Sequence, residues 1–327
     1  MTTPHRTSAD PPSTVRPVAL VVGASRGLGL LLAEQLGRHG YILAVCSRDP
    51  EAIERTADHL RHDGASATPY ALDVGDAAAV GEVVERVEDE LGPIEVALHV
   101  AGTIQVGPLE SLEHSHFEEA FATMAWGPVN LALALVPRMR SRGHGHFGVV
   151  TSVGGLVSVP HLLPYSTAKF AAVGFTNGLR AELAGTGVSV TTIAPGLMRT
   201  GSHLRAELTG DQGSEYAWFA PGASLPLVSM DAERAARRIV SGVLRGRAFV
   251  VLTPLAQVGS RVAGAAPTIT SWAMSLMARA LPSAPDGRSA TVPGFVARRR
   301  LGSRTVNLLT TLGDRAGRRT LETGPEA

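Results

Sequence analysis

Pro17-Val-Ala-Leu-Val-Val-Gly-Ala-Ser-Arg-Gly-Leu-Gly29 decides the fold of this chain. Residues Pro17–Val22 form a short apolar run, which is typical of a parallel strand buried on both faces. A glycine-rich turn follows at once, and Leu30–Gly40 then has the pattern of a helix. The glycines let the backbone approach a pyrophosphate, and the helix N-terminus offers it free N–H groups. The stretch therefore predicts a dinucleotide-phosphate site, with a plain structural turn as the alternative.

The alternation of strand and helix continues along the chain. Further strands are predicted at Tyr41–Cys46, Ala67–Leu72, Ile94–Val100, Phe147–Thr151, Val188–Ile193 and Ala248–Leu252. Helices are predicted at Glu51–His62, Asp76–Leu91, Tyr165–Ala184 and Asp231–Arg247, with one or two more over Glu110–Arg140 that are interrupted at Gly127-Pro128. This rhythm predicts an α/β fold, a doubly wound parallel sheet of about seven strands in a single domain.

The residues after the second strand bear on the choice of cofactor. In dinucleotide folds an acidic residue there binds the ribose 2′-hydroxyl, whereas an arginine nearby accommodates the 2′-phosphate of NADP. Ser47 takes the acidic position, Arg48 follows it, and Arg26 adds a second cation from the glycine turn. The sequence therefore favours NADP(H) over NAD(H). The alternative is that Arg48 is merely solvated.

A serine, a tyrosine and a lysine mark the second half of the sheet. Tyr165 and Lys169 are four residues apart, so they share one face of a helix. Ser152 follows the fifth strand, at the carboxyl edge where open α/β sheets bind ligands. A neighbouring ammonium lowers the pKa of a phenol, so Tyr165 could exchange a proton with a substrate oxygen that Ser152 hydrogen-bonds. Alone, this spacing is more often a helix face whose lysine reaches solvent.

Together these pieces resemble the short-chain dehydrogenase/reductase family over residues 16–255. The matching motifs occur in the family's order and spacing: Gly23-x-x-x-Gly27-x-Gly29, Asp73-Val74, Ala101-Gly102, Ser152, Tyr165-x-x-x-Lys169, and Pro195-Gly196 with Thr200. The resemblance implies a Rossmann sheet and hydride transfer between a nicotinamide cofactor and an alcohol or carbonyl group. It also implies a homodimer or homotetramer that pairs through the helices at Glu110–Arg140 and Tyr165–Ala184.

The resemblance also assigns roles by position. Tyr165 would be the general acid/base, Lys169 would lower its pKa and contact the nicotinamide ribose, and Ser152 would orient the substrate oxygen. Asp73 would lie near the adenine and Thr200 near the carboxamide. The expected cofactor-binding residues are Gly23, Ser25, Arg26, Gly27, Leu28, Gly29, Ser47, Arg48, Asp73, Val74, Ala101, Gly102, Tyr165, Lys169, Pro195, Gly196 and Thr200. No metal ligand is expected.

Two positions depart from the family pattern. His99-Val100 stands where the family often has two asparagines, and we interpret His99 as a satisfied structural residue. Met124 stands where the family typically has an asparagine that holds a water chain to the lysine. Asn130 is expected to face another side of the helix, so it is no simple substitute. Either other polar groups hold the waters, or turnover is slowed, or the chain binds cofactor without efficient chemistry.

Composition excludes several classes of function. The 327 residues carry a net charge of +1, which gives no reason to expect nucleic-acid binding. The single cysteine, Cys46, excludes an internal disulfide and a cysteine-based zinc cluster. Residues 1–16 are expected to be a disordered leader without a secretory signal, ahead of the family domain at residues 17–253. The expected compartment is therefore the cytoplasm.

The segment Gly201–Met230 corresponds to the variable substrate lid of the family. It is rich in Gly, Ser, Ala and Pro and holds the aromatic residues Tyr216, Trp218 and Phe219. These side chains either cover an apolar substrate or simply pack on the core.

The chain continues past the family domain into an extension, expected to be mostly helical, at residues 254–313. Val262–Ala278 has no charge, and the basic run Arg298–Arg304 follows it. The uncharged segment could cover the active site, dock a neighbouring subunit or make weak contact with a membrane surface. The basic run suits anionic lipid, which would make the protein peripheral, or else is a solvated face. Residues 314–327 are expected to be a disordered tail.

The sequence thus supports two hypotheses of different class. The first is an NADP(H)-dependent oxidoreductase that acts on a lipophilic secondary alcohol or ketone, a small-molecule carbonyl or alcohol substrate, with Tyr165 as general acid/base. The alternative is a catalytically weak or inactive NADP(H)-binding sensor or scaffold, which the residue at position 124 and the long C-terminal part favour.

Overall fold

The computed structural model describes residues 16–226, 228–283 and 290–322. Its strands are β1 (Val18–Val22), β2 (Ile42–Ser47), β3 (Ala67–Ala71), β4 (Ile94–His99), β5 (Gln105–Val106), β6 (Gly145–Val150), β7 (Val188–Ala194), β8 (Met198–Arg199), β9 (Glu207–Leu208), β10 (Met230–Asp231), β11 (Phe249–Val251) and β12 (Val292–Pro293). Seven of them form a sheet in the order β3-β2-β1-β4-β6-β7-β11, and all neighbours are parallel. The predicted doubly wound α/β fold is confirmed. Except for residue 16, the expected leader lies outside the described residues.

The helices alternate with the strands of this sheet. They are α1 (Gly27–Arg38), α2 (Pro50–His62), α3 (Ala77–Leu91), α4 (His114–Phe121), α5 (Gly127–Arg142), α6 (Leu163–Glu182), α7 (Gln212–Gly222), α8 (Ala232–Leu244), α9 (Pro254–Ala265), α10 (Pro267–Ala278), α11 (Gly294–Leu301) and α12 (Arg304–Arg319). Short 3₁₀ turns lie at Leu109–Ser111, Val153–Gly155 and Ser202–Leu204.

The core lies on both faces of the sheet because β1 is buried along its whole length. Ala19 and Val21 pack with α1 and α8 on one face, whereas Leu20 and Val22 pack with α3 and α5 on the other. A continuous apolar strand suits this position, since a central parallel strand meets helices on both sides. This burial fixes β1, and with it the glycine turn that follows.

Polar side chains set where two of the flanking helices begin. Asp76 accepts hydrogen bonds from the amides of Ala78 and Ala79 at 2.9 and 3.1 Å, as the sequence predicts for an N-cap. Asp231 accepts one from the Arg234 amide at 2.9 Å in the same way. Each cap satisfies amides that have no partner within the first helical turn.

The predicted interruption at Gly127-Pro128 is wrong in its position. The chain stays helical from His114 to Arg142, and the irregularity is a π turn at Ala122–Trp126, just ahead of Pro128. Pro128 is tolerated because it sits in the first turn of α5. This helix is long and apolar enough to span a membrane, but half of its apolar window is buried against the protein, as in a core helix.

The C-terminal extension is helical and folds back over the lid. β9 pairs with both β5 and β12, so the lid and the extension share a small sheet. The prediction that the tail is disordered is wrong for residues 314–322. Helix α12 continues through Asp314 to Arg319 and packs on α7 and β8. Thr310 and Gly313 are among the residues of α12 that are buried in this packing. Residues 323–327 lie outside the described residues.

Candidate active site

A cavity of about 790 Å³ lies at the carboxyl edge of the sheet, where parallel α/β sheets bind ligands. It is lined by all of the expected site residues except Gly27, namely Gly23, Ser25, Arg26, Leu28, Gly29, Ser47, Arg48, Asp73, Val74, Ala101, Gly102, Ser152, Tyr165, Lys169, Pro195, Gly196 and Thr200. The structure therefore brings the glycine turn and the Ser-Tyr-Lys set together around one space.

The glycine turn is packed so closely that side chains would not fit. A Cβ at Gly29 would collide with the Gly23 carbonyl, and one at Gly23 would collide with the Ala101 backbone. Gly27 has a φ of +59°, which favours glycine. The first turn of α1 has no acidic residue and no side-chain cap, so its N-terminus presents amides and the positive end of the helix dipole. These features fit a bound pyrophosphate.

At the adenosine end, the carboxylates are already engaged by backbone amides. Asp49 accepts a hydrogen bond from the Ala52 amide at 3.0 Å, and Asp73 accepts one from the Gly75 amide at 2.9 Å. The Ser47 hydroxyl donates to the Asp49 carbonyl at 3.0 Å. Arg48 is exposed and forms no hydrogen bond or ion pair with the described residues, so its guanidinium is available to an anion at this end.

The expected catalytic residues come from two neighbouring elements. Ser152 follows β6, and its hydroxyl oxygen accepts a hydrogen bond from the Gly154 amide at 3.0 Å. Tyr165 and Lys169 lie on one face of α6, with the Lys169 ammonium 5.7 Å from the Tyr165 ring centroid. A Cβ at Gly154 would lie 3.4 Å from the Ser152 hydroxyl oxygen and 3.1 Å from the Tyr165 ring, so these two side chains adjoin each other.

Burial controls the protonation of this group. It raises the pKa of Tyr165, and a hydrogen bond with Ser152 only partly offsets the rise. Burial therefore dominates the pKa of Tyr165 in the protein by itself, and the expected lowering of this pKa by Lys169 stays a prediction. Burial also lowers the pKa of Lys169 to about 7. At neutral pH the phenol of Tyr165 is thus protonated and able to donate.

Met124 occupies the π turn that faces this group. It is buried with Ala120 and Ala168, and Tyr165 packs against the same cluster. A Cβ at Gly102 would lie 3.2 Å from the Met124 sulfur and 3.6 Å from Lys169 Nζ, so the thioether lies close to the ammonium. Asn130 instead donates to the Val74 carbonyl at 3.0 Å, away from Lys169. No asparagine of the described residues therefore replaces the expected one.

His99 is buried, and its ring lies under the start of α5. Its ring nitrogens form no hydrogen bond of ordinary geometry with the described residues, but backbone groups of Thr123 and of His99 itself lie close enough to act on its pKa, so its interpretation as a structural residue stays a prediction. A Cβ at Gly127 would lie 2.7 Å from His99 Nε2. Burial lowers the pKa of His99 to about 3, and the charge of Lys169 adds to this effect. The imidazole is therefore neutral at ordinary pH.

Several lining residues escaped the sequence analysis. Leu255, Met274 and Met277 reach the cavity from α9 and α10. Glu322 reaches it from the C-terminus, where we expected disorder. The apolar patterns of α9 and α10 indicated a covering segment, but no local signal marks Glu322. Trp218 and Phe219 of the lid also line the cavity, whereas Tyr216 is packed in the core. Part of the aromatic cluster therefore covers the site, and part of it packs on the core.

One cluster of ligand-type side chains lies elsewhere in the described part of the chain. Glu95, His144 and His146 each place a ligand atom within 4.8 Å of the others. They stand at the starts of β4 and β6, at the edge of the sheet opposite the cavity. His144 is exposed, and His146 is already hydrogen-bonded to Ser189 at 2.7 Å, so the cluster plays no part in the site.

Comparison with known proteins agrees with this geometry. The family model described as short chain dehydrogenase matches residues 17–209, which include the glycine turn, Ser152, Tyr165 and Lys169. The chain belongs to the short-chain dehydrogenase family. It is an oxidoreductase of this family that acts on CH–OH or C=O groups, and structures within the family hold NAD or NADP.

Individual members of the short-chain dehydrogenase family match different lengths of the chain. Human 17-beta-hydroxysteroid dehydrogenase 13 is 30% identical over 187 residues, which are 56% of this chain and 62% of the relative. A short-chain dehydrogenase from Streptomyces avermitilis has 26% identity and a TM-score of 0.68, covering 82% of this chain and 99% of its own. A metagenomic short-chain oxidoreductase solved with NADP has 28% identity and a TM-score of 0.54, covering 57% and 86%.

Proposed function

We propose that the protein transfers a hydride between NADP(H) and a lipophilic secondary alcohol or ketone, with Tyr165 as general acid/base. The observation that carries this proposal is the shared cavity, in which Ser152, Tyr165 and Lys169 face the same space as the glycine turn. When bound, the nicotinamide supplies or accepts the hydride. The residues of this chain then have to hold the substrate oxygen and move one proton.

In the direction of reduction, the Ser152 hydroxyl orients the carbonyl oxygen and Tyr165 donates its proton to that oxygen. The raised pKa of Tyr165 keeps the phenol protonated at neutral pH until this step. Transfer leaves a phenolate, and the ammonium of Lys169 lies close enough to stabilise the new charge. The proton then returns to Tyr165 from solvent. Oxidation of an alcohol runs the same steps in reverse.

The preference for NADP(H) rests on the charges at the adenosine end. Arg48 forms no ion pair with the described residues, and it lines the cavity beside Ser47. The nearby carboxylate of Asp49 caps α2 through one of its oxygens. A 2′-phosphate at this end would meet the guanidinium of Arg48. The relative solved with NADP supports this choice.

The substrate part of the cavity favours a lipophilic molecule. Its walls are formed by Val157, Val159, Leu162, Trp218, Phe219, Met274 and Met277. Methionine side chains adapt to apolar ligands of different shape, because they are flexible and polarizable. The name of the human relative, a hydroxysteroid dehydrogenase, supports a large apolar alcohol or ketone as the substrate class.

The test follows oxidation of NADPH and NADH by absorbance with a panel of ketones. Tyr165→Phe should retain cofactor binding and lose at least about a hundredfold in kcat, since a positioned general acid contributes that much. Tyr41→Phe is the matched control, because the Tyr41 hydroxyl bonds Glu95 at the opposite edge of the sheet. Turnover that survives Tyr165→Phe would refute the role of Tyr165. Faster turnover with NADH than with NADPH would refute the cofactor preference.

The second candidate function is a cofactor-binding sensor or scaffold. The burial of Met124 beside Lys169 favours it, since a thioether cannot hold a chain of waters to the ammonium. This candidate predicts binding of NADPH with no turnover of any ketone or alcohol in the panel. Turnover that depends on Tyr165 would exclude it.

We also propose that α9 and α10 bring the protein to an anionic membrane surface. No residue of α10 is buried, and Ile269, Trp272 and Leu276 are exposed. The lipid would supply an apolar substrate next to Met274 and Met277. The basic run contributes less to membrane binding than its charge alone suggests. Arg298 pairs with Asp314 at 3.0 Å, and Arg300 donates a hydrogen bond to Gln212. Flotation with anionic liposomes should be lost in Trp272→Glu but kept in Leu308→Glu, a control at an exposed leucine on α12.

A homodimer or homotetramer is supported by apolar side chains on the helices expected to pair. Trp126 in the π turn, Leu133 on α5 and Phe170 on α6 are exposed, at 59%, 72% and 43%. Large apolar residues on one continuous surface mark a protein interface. Light scattering after gel filtration should show a dimer or larger, and Leu133→Arg should shift it toward monomer. A wild-type monomer at micromolar concentration would refute this assembly.

A further inference from the structure

The C-terminal residues of the chain lie on the glycine turn. The amide of Gly27 donates a hydrogen bond of 2.7 Å to the carbonyl oxygen of Thr320. A Cβ at Gly27 would lie 2.5 Å from a carboxylate oxygen of Glu322. Gly27 opens α1, and an amide at this position is one that a pyrophosphate would use. The chain's own carbonyl and carboxylate therefore cover the phosphate-binding groups, which is why Gly27 does not line the cavity.

Glu322 is buried beside two arginines. Its carboxylate lies 3.4 Å from Nε of Arg26, and only 6% of the residue is exposed. Arg205 donates a hydrogen bond of 3.1 Å to the Glu322 carbonyl. One carboxylate oxygen is buried without a hydrogen-bond partner among the described residues. A carboxyl group that is buried beside a helix N-terminus and an arginine occupies the kind of place that a phosphate takes.

The segment is docked through several further contacts. The Thr320 hydroxyl donates to the Thr200 carbonyl at 2.8 Å. A Cβ at Gly201 would lie 2.5 Å from the Cα of Gly317, so the two backbones touch. Asp314, one helical turn earlier, pairs with His203 and Arg298. The position of Glu322 therefore follows from the packing of α12 on β8 and the loop after it, and not from one surface contact.

We propose that Glu322 is an intramolecular competitor of the cofactor: its carboxylate occupies a phosphate position on the glycine turn and must leave before NADP(H) binds. This inference rests on the proposed function, because it assumes a dinucleotide in this cavity. A phosphate cannot take this position while Glu322 lies against Arg26 and the Thr320 carbonyl holds the Gly27 amide, because the docked groups fill the same space. The segment Thr320–Glu322 thus sets the affinity for cofactor.

Competition of this kind has a measurable size. If the docked segment must open first, the apparent affinity falls by the fraction of molecules that are open. A segment docked in nine molecules of ten would weaken binding about tenfold. Both NADPH and NADH carry the pyrophosphate that needs the Gly27 amide, so both should be affected. A second possibility, that Glu322 only neutralises Arg26, would change the binding of NADPH alone, because only NADPH has a 2′-phosphate.

The experiment measures the Kd of NADPH and of NADH by calorimetry in mildly acidic buffer. It compares the full chain with Glu322→Ala and with a chain that ends at Arg319. Glu85→Ala is the matched control, because it removes an exposed carboxylate on α3 that forms no ion pair with the described residues. We expect both changes at the C-terminus to tighten both cofactors about tenfold, and the control to leave them unchanged. Equal Kd values in wild type and variants, or weaker binding in Glu322→Ala, would overturn the proposal.

The outcomes also separate this proposal from the function itself. Tightening for NADPH but not for NADH would show that Glu322 acts on Arg26 only, and would overturn displacement. Binding that is the same in all forms leaves the oxidoreductase proposal standing while this one fails. If no form binds either cofactor, both fail. Hydrogen exchange gives a second readout: saturating NADPH should lower the protection of residues 313–322, and unchanged protection in the complex would contradict displacement.

Discussion

Lys169 Nζ donates a hydrogen bond of 2.8 Å to the carbonyl oxygen of Val150. The ammonium is thus anchored to the end of β6, and no carboxylate of the described residues forms an ion pair with it. Burial without a counter-ion lowers the pKa of Lys169 to about 7. The residue is therefore poised to lose its charge near neutral pH, and this has consequences for stability as well as for catalysis.

Lys169→Met should change how stability depends on pH. Between pH 7 and the ordinary lysine value, the unfolded chain binds a proton that the folded protein has released. The free energy of unfolding of wild type should therefore rise with pH relative to the variant, by up to about 1.4 kcal/mol per unit. Below pH 7 the variant should be the more stable, because it buries no charge. Urea unfolding at a series of pH values measures this difference; a gap that is independent of pH would contradict it.

Met124→Asn should speed turnover several-fold if the thioether interrupts the supply of protons to Lys169. The same change places an amide in a buried site, so it should lower the free energy of unfolding by about 1–3 kcal/mol. Met124→Leu keeps the site apolar and should leave the rate near that of wild type. Steady-state kinetics beside urea unfolding separates the two effects. A rate in Met124→Asn no higher than in Met124→Leu would show that proton supply does not limit turnover.

The sheet and most of the site were predictable because their signals are local. The apolar run before the glycine turn is buried as a central strand, and Asp76 is the N-cap of α3. Tyr165 and Lys169 share a helix face by their spacing alone. Local patterns sufficed where one strand or one turn of helix positions the residue.

Contacts between distant parts of the chain were not predictable. Glu322 forms an ion pair with Arg26, although the two residues lie near opposite ends of the chain. Nothing in the polar C-terminal sequence indicates this partner. The sequence predicts a helix interruption at Gly127-Pro128, because glycine and proline are the usual local signs of a helix break, whereas the irregularity is the π turn that buries Met124. The rise in the pKa of Tyr165 was not predictable for the same reason: burial depends on the whole fold, whereas the spacing to Lys169 does not.

Asp314→Asn should destabilise the docked C-terminal helix. The carboxylate bonds Nε2 of the buried His203 at 3.1 Å and Nη1 of Arg298 at 3.0 Å. Burial raises the pKa of Asp314, but His203 and Arg298 outweigh it and the net shift is downward, so the charged form stabilises the fold. We expect a loss of about 1.5–3 kcal/mol, seen as a lower Tm at neutral pH. Asp63→Asn, at an exposed helix end, is the control and should leave the Tm unchanged.

Cofactor binding should depend on pH through Glu322. Burial raises the pKa of the docked Glu322 to about 7 from 4.5, although Arg26 and Arg205 act in the opposite direction. These two arginines are the charged groups that face the carboxylate. The docked form therefore holds a proton that the open form releases between pH 4.5 and 7. Docking is strongest in acid and weakens as the pH rises toward 7, after which it stays constant.

The quantity to measure is the Kd of NADH for wild type divided by that for Glu322→Ala, at several pH values. NADH lacks the 2′-phosphate, and the ratio cancels any remaining titration of the cofactor or of the shared site. The ratio should be largest in acid and fall by up to about tenfold per pH unit toward neutrality. Glu322→Gln cannot release a proton, so its ratio to Glu322→Ala should stay level. A wild-type ratio that stays level, or that rises with pH, would show that the carboxylate is not the docking group.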